Sequence, residues 1–186
     1  YHKDIKKLNT SFKKSFVNKK IYIANYDLVS WSDLAAVIYN DIFSSGINLK
    51  ELGLGKDIVS DFESFYNYYK NCGSIIDKEN ERFLTKELKE CKTFFDNIEG
   101  KSLDDQQREV IVQDEDNTLI IAGAGSGKTL TIAAKVAYLH KKFNINPEDI
   151  LLISFTRNAA DEMKERIITQ LGLKVDVKTF HKLGLD

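Results

Sequence analysis

The chain of 186 residues is poor in the residues that interrupt or cross-link a fold, with one proline, ten glycines and two cysteines, and it has a single methionine and a single tryptophan. With Pro147 as its single proline, breaks between elements must come from glycine and from polar turns. No segment repeats at the period of a solenoid or propeller. Cys72 and Cys91 lack metal-ligand spacing and form no CxxC, so two buried free thiols are expected, which suits a reducing compartment. The longest apolar runs, LIIAGA and DILLISF, are too short to cross a bilayer, and no lysine-then-apolar leader opens the chain. A cytoplasmic location without membrane contact is therefore expected. Because the chain opens on Tyr1 and stops just after a new helix begins, it is expected to be a piece of something longer. Net charge is also lacking, at −1. Any nucleic-acid contact must therefore come from local patches. One such patch opens the chain, where Lys3, Lys6, Lys7, Lys13, Lys14, Lys19 and Lys20 face the single acid Asp4. It reads either as a solvated helix face or as an arm that contacts phosphates.

What the chain does have changes character near Gly100. Before that point the spacing is helical. Leu8, Phe12 and Phe16 step by four, Ser30 or Ser32 can cap a segment from Asp33 to Phe43, and Ile58, Phe62, Phe65 and Tyr69 share a face over 56–69. A weak strand is possible over 20–24. The clearest helix runs over 77–98, where Leu84, Leu88, Cys91, Phe95 and Ile98 form a stripe suited to packing. Beyond Gly100, short apolar runs alternate with helical patterns: NTLIIA, then GKTLTIAAKVAYLHKK; DILLISF, then TRNAADEMKERIITQL; VDVKTF, then HKLGLD. That order predicts an α/β fold with a parallel sheet and crossover helices. The expected organisation is a mainly helical region over 1–77, an amphipathic linker helix over 78–101 and an α/β region over 102–186.

The segment IAGAGSGKT, residues 121–129, sits between a predicted strand and a predicted helix. A loop that encloses a polyphosphate must converge several backbone N–H groups, which side chains obstruct, and must end at a helix N-terminus, which favours anions. Gly123, Gly125 and Gly127 relieve that crowding. Lys128 supplies a mobile positive charge, and the Thr129 hydroxyl can ligate magnesium. The GxxxxGK[ST] pattern holds except at its first position, Ala122. Such loops serve kinases, GTPases and motors alike, so the loop implies a nucleoside triphosphate with magnesium and no particular reaction.

Its neighbours are more selective. Upstream, SLDDQQREV (102–110) is a capped helix start. A glutamine there can form paired hydrogen bonds with the adenine N6 and N7 edge, although a helix that opens on polar residues needs no ligand. Downstream, SFTRNAADEM (154–163) and Thr179-Phe-His181 lie at the carboxyl ends of two predicted strands. Open α/β sheets bind ligands at that rim. Hydroxyls, helix N-termini and aromatic rings together suit a single-stranded backbone with stacked bases, while Phe155 could equally be a core residue.

SLDDQQREV, AGAGSGKT, SFTRNAADEM and TFHKLGL, in this order and spacing, resemble the adenine-reading Q motif and motifs I, Ia and Ib of superfamily 1 DNA helicases of the UvrD/Rep type. With the preceding segment ERFLTKELKECKTFFDNIEGKSL, they look most like the bacterial helicase IV branch. The resemblance covers residues 78–186. It implies that 102–186 is the first part of a P-loop, RecA-like ATP-binding domain whose parallel sheet is incomplete in this chain. It also implies that Gln107 reads adenine with Arg108 nearby on the same helix, and that the loop Ala122, Gly123, Ala124, Gly125, Ser126, Gly127, Lys128 and Thr129 holds ATP and Mg2+. Lys128 and Thr129 would be the groups at the reacting phosphate. Phe155, Thr156, Arg157, Thr179, Phe180 and His181 would contact single-stranded DNA at a duplex junction. Arg157-Asn158 departs from the family's usual pair after the motif Ia threonine.

By the same resemblance, hydrolysis needs a carboxylate pair after a later strand and arginines from a second motor lobe. No apolar strand ending in Asp-Glu follows Thr129, and Asp114, Glu115 and Asp116 precede the loop, where they read as a solvated connection. The chain alone is therefore expected to bind nucleotide weakly without turning it over. The implied activity, ATP-driven translocation and unwinding, belongs to the longer protein. A helicase-nuclease and a DNA-binding module with a vestigial phosphate loop are the alternatives. A small-molecule kinase would have no use for motifs Ia and Ib.

Overall fold

A computed structural model of the chain describes residues 1–44, 46 and 49–184. The chain divides into two compact units. One comprises residues 1–86 with 114–118, and the other comprises residues 87–113 with 119–186.

The first unit is helical: α1 (His2–Phe16), α2 (Asn25–Phe43) and most of α3 (Lys56–Glu90), with a short 3-10 turn at Leu49–Leu52. Ile5, Leu8, Phe12 and Phe16 of α1 are buried against Trp31 and Ala35 of α2 and Phe62 and Phe65 of α3. The Phe12 ring stacks on Tyr68 at 4.6 Å, and the Trp31 indole N–H donates to the Leu8 carbonyl at 3.0 Å, which satisfies the polar edge of a buried ring. α2 starts earlier than its serines suggest. Asp27 accepts from the Ala24 N–H at 3.0 Å, which caps the first turn, while Ser32 donates back to the Val29 carbonyl. The segments expected as two helices, 56–69 and 77–98, run together as α3, since Ile58, Phe62, Phe65, Tyr69, Cys72, Ile76 and Phe83 continue one stripe at steps of four and three or their sum. Gly73 alone does not interrupt it. α3 ends at Glu90, and α4 (Lys92–Phe95) follows. No strand forms over 20–24. The amide of buried Asn80 pairs there with both the N–H and the C=O of Ile23, at 2.8 and 2.9 Å, so the backbone is satisfied without a neighbour. The acidic connection is anchored rather than free: Glu115 accepts from the Tyr22 hydroxyl at 2.5 Å, and Asp116 accepts from the Tyr26 N–H at 3.2 Å.

The second unit holds α5 (Asp105–Val112), α6 (Lys128–Phe143), a 3-10 turn at Pro147–Asp149, β1 (Leu151–Ser154), α7 (Arg157–Lys164), β2 (Asp176–Thr179) and α8 (Phe180–Leu183). β1 and β2 pair in parallel, from Leu151 opposite Asp176 to Ser154 opposite Thr179, with α7 as the crossover. Ala133 and Val136 of α6, Ala160 of α7, Ile167, and Val175 and Val177 around β2 form the core between them. The expected α/β pattern is thus present as a two-stranded sheet. The run NTLIIA is not a strand: Leu119 and Ile121 are 86% and 90% exposed, and among the described residues no strand lies beside it. An extended apolar run becomes a strand only through the ladder it joins.

A buried polar knot ties α3 to α6. Glu87 accepts from Lys142 at 2.7 Å, from the Tyr138 hydroxyl at 3.1 Å and from the Cys91 thiol at 3.2 Å. Burial alone would raise the Glu87 carboxyl, but these hydrogen bonds outweigh it and hold it below its ordinary value. Burial, reinforced by Glu87, pushes the Cys91 thiol up to about 11. Both cysteines are free, and both are half-buried rather than buried. Among the described residues, no helix is long and apolar enough to cross a membrane.

Candidate nucleotide and nucleic-acid site

The glycine-rich loop leads into α6 through Gly127, whose φ of 82° lies in the left-handed region, as does that of Gly125 at 76°. At both positions a side chain would be strained. Gly127 has a second constraint, since a Cβ there would lie 2.8 Å from the Gln107 amide nitrogen. Within the loop, the Ser126 hydroxyl donates to the Gly123 carbonyl at 2.8 Å. Lys128 folds back, its Nζ donating to the carbonyls of Ala122 and Gly123 at 3.1 and 2.5 Å. Ala124 lies in the exposed turn between them, and Thr129 is half-buried in the first turn of α6.

Gln107 reaches this loop from α5. Asp104 caps that helix by accepting from the Gln107 N–H at 2.8 Å, and the Gln107 side-chain oxygen accepts from the Asp104 N–H at 3.0 Å, a reciprocal capping box. The other end of the same amide donates to the Ser126 carbonyl at 3.0 Å. One side chain therefore fixes a helix start and touches the glycine-rich loop. The far end of α5 is held to α6 as well, because Lys135 donates to the Ile111 and Gln113 carbonyls at 2.8 and 2.5 Å. A cavity of about 570 Å³ results, lined by Gln107, Gly125, Ser126, Gly127, Lys128 and Thr129 together with Lys101, Ser102, Asp104, Leu130, Glu162 and Arg166.

Arg108 turns away from that cavity. It donates to the Leu103 carbonyl at 2.7 Å, to Asp96 at 2.8 Å and to Ser102 at 2.9 Å, thereby bracing the approach to α5. Glu162 and Arg166, four apart on the helix that follows β1, are among the lining residues not singled out from the sequence. Their spacing places them on one face, which was the available signal. Arg166 lies where the helix widens over Glu165–Gln170, shown by the Leu171 N–H bonding to the Arg166 carbonyl. Such widened turns often occur at functional sites.

The strand ends carry the second group. A cavity of about 670 Å³ is lined by Phe155, Arg157, Thr179 and His181, with Ala160, Asp161, Lys164, Val177 and Lys182. Phe155 and Phe180 are 87% and 67% exposed, so neither is a core residue. The Thr156 and Thr179 hydroxyls cap the helices that follow them, accepting from the Ala159 and Lys182 N–H groups at 3.2 and 3.3 Å. Each keeps its own O–H for another acceptor. Three cations, two exposed rings and two helix starts suit a phosphate backbone with stacked bases. Among the described residues, no group of three or more His, Cys, Asp or Glu side chains is arranged to hold a metal ion.

Residues 103–186 match the model of the UvrD/REP helicase N-terminal domain. DNA helicase IV of Escherichia coli (strain K12) is 38% identical over 109 residues, which is 58% of this chain and 16% of that protein. A probable DNA helicase II homolog of Mycoplasma capricolum subsp. capricolum is 49% identical over 82 residues, 42% of this chain and 11% of that protein. DNA helicase II of Escherichia coli (strain K12) is 41% identical over 86 residues, 45% of this chain and 12% of that protein. The aligned stretches thus cover 16% or less of each of these three relatives.

Proposed function

We propose, from the premise that residues 103–186 are a UvrD/Rep-type helicase segment, that the chain supplies part of the ATP site and of the single-stranded DNA path of an ATP-driven DNA motor. Residues 102–186 form the first part of its ATP-binding lobe, 78–101 the amphipathic lead-in and 1–77 a helical accessory region. The supporting observation is that Gln107, Lys128 and Thr129 line one cavity while Phe155, Arg157, Thr179 and His181 line a second in the same compact unit.

In this reading the backbone N–H groups of Gly125 to Lys128 cradle the phosphates. Lys128 exchanges the loop carbonyls for phosphate oxygens. Gln107 gives up one of its two amide bonds to read adenine, and Thr129 holds magnesium, which neutralises phosphate charge when bound. Phe155 and Phe180 stack on bases while Arg157 and His181 face the backbone. The chain itself is not expected to turn ATP over, since the aligning carboxylates and partner-lobe arginines of such motors are not among its motifs. In the intact protein, hydrolysis would drive movement along one strand and open duplex DNA at a junction.

The test is ATP turnover by the intact protein with and without single-stranded DNA, beside its Lys128→Ala variant. Stimulated turnover that disappears in the variant supports the reading, and unchanged turnover in the variant refutes it.

A further inference from the structure

α1 has two faces of different chemistry. Ile5, Leu8, Phe12 and Phe16 are buried at 0 to 8% exposure, which fixes the helix about its axis. Lys3, Lys6, Lys7, Lys13 and Lys14 fall within an arc of about 120° on the opposite side of a helix of 3.6 residues per turn. All five are exposed. Among the described residues, none pairs with a carboxylate. Asp4, in the first turn, is the one acid on the helix itself, and the acids that reach its start from other elements are engaged elsewhere. Asp61 bonds to His2 at 2.9 Å and to no lysine, and Asp41 accepts from the Tyr1 hydroxyl at 2.8 Å. Ordinary soluble surfaces mix both signs. Here one sign is gathered on a rigid support in a chain whose net charge is −1.

We infer that this lysine face binds the phosphate backbone of duplex DNA, independently of sequence. The inference rests on the motor reading for its choice of polyanion. Three features of the face select the duplex. From Lys3 to Lys14 the cations span about 16 Å at 1.5 Å per residue, a straight array matched to a stiff backbone carrying one charge per ~1.7 Å of axis. No exposed aromatic ring lies among them to stack on unpaired bases, since Tyr1, just before the helix, is tied to Asp41. Thr10, which falls among the lysines on that arc, is small and polar, so the face has neither the apolar residues of a membrane-lying helix nor the Asn, Gln or Arg that read base edges. The accessory helix would hold the duplex, leaving the exposed rings of the other unit to the single strand.

The experiment measures duplex and single-strand affinity of the intact protein across a salt series. The variant carries Lys6→Gln, Lys7→Gln, Lys13→Gln and Lys14→Gln, and the same four positions as arginine serve as the control. The glutamine variant should lose about 3 to 4 units of slope in log affinity against log salt for duplex, at about 0.9 per phosphate contact. Its single-strand affinity, ATP binding and unfolding midpoint should stay unchanged, and the arginine variant should keep the wild-type slope. An unchanged duplex slope overturns the proposal, as does a loss seen on phosphatidylserine vesicles or double-stranded RNA but not on duplex DNA. If the wild-type protein binds neither form of DNA, the motor reading fails; if it binds single strands while the duplex slope is unaltered, the lysine face alone fails.

Discussion

Glu99 and Arg166, far apart in sequence, form a largely buried ion pair, with Oε2 and Nη1 2.5 Å apart and side chains 9% and 22% exposed. Glu99 is held in a tight turn, its φ at 52° and that of Gly100 at 74°, closed by the pairing of Ile98 with Lys101. The other carboxylate oxygen and the Arg166 Nε have no hydrogen-bond partner, although both are buried. The pair is thus one whose rupture costs more than its formation contributes. Glu99→Ala should destabilise the protein by up to about 3 kcal/mol, because it leaves the largely buried guanidinium with only the longer 3.6 Å pair to Glu162. Glu99→Ala combined with Arg166→Met should be less damaging than either change by itself. Denaturant midpoints of the three variants check this, and strictly additive losses would contradict it.

Gln107 serves two structures at once, and two substitutions separate them. Gln107→Ala removes the capping acceptor and the tie to Ser126 together, so about 1 kcal/mol of stability and much of the ATP affinity should be lost. Gln107→Glu keeps the acceptor for the Asp104 N–H but replaces the donor to Ser126 with a second oxygen. Stability should be nearly retained while ATP binding still falls. Thermal unfolding and nucleotide titration of both variants decide it.

Phe155 is 87% exposed and contributes little to the core, so Phe155→Ala should leave the unfolding midpoint within the scatter of surface substitutions. If the ring stacks on a base, single-strand affinity should drop by about 1 to 3 kcal/mol in the same variant. Fluorescence anisotropy with a labelled oligonucleotide measures the loss.

The Glu87 knot predicts how stability responds to acid. Its carboxyl is held below the ordinary 4.5, so its contribution is fully present above that value and is lost as pH falls through the lower folded value. Lys142 is held above its ordinary 10.5, chiefly by the hydrogen bond to Glu87, so its share is present below that value and lost as pH rises beyond it. Glu87→Gln should therefore be less stable than wild type at neutral pH and show a smaller further loss between pH 5 and about 3, read from chemical unfolding at each pH. With its thiol pushed up to about 11, Cys91 should be alkylated far more slowly in the folded protein than in urea at pH 8. Glu87→Gln should speed that reaction.

The residue pattern of the candidate site is local in the sequence, while the scaffold around it is not. The glycine-rich loop is readable because backbone convergence on a polyphosphate tolerates few residue types, Gln107 only through the resemblance, and Gln107 lines one cavity with Gly125 to Thr129. Phe155 and Phe180 were assigned by their position at strand ends, and both emerge exposed. The resemblance groups Arg108 with the nucleotide, whereas its guanidinium is bonded to Leu103, Asp96 and Ser102. What local pattern could not show depends on partners distant in the chain. Asn80 replaces a strand neighbour for Ile23, and Arg166 finds Glu99 across a long separation. The run 117–122 has strand composition and no ladder to join. Helix boundaries shifted for a nearer reason: the stripe of α3 continues through Cys72 and Ile76, so two expected helices are one.

The parallel register of β1 and β2 also sets a length. Ser154 lies opposite Thr179, and the next residue after each strand is an exposed phenylalanine. Their backbones leave the sheet as neighbours, with a spacing inherited from the pitch between parallel strands, about 4.8 Å. A slip of one residue would preserve a parallel ladder but bring a ring abreast of a non-aromatic side chain. The hydrogen-bond ladder therefore acts as a ruler. Val177, packed with Ala133, Val136, Ala160 and Ile167 beneath and lining the cavity at the strand ends above, holds that calibration.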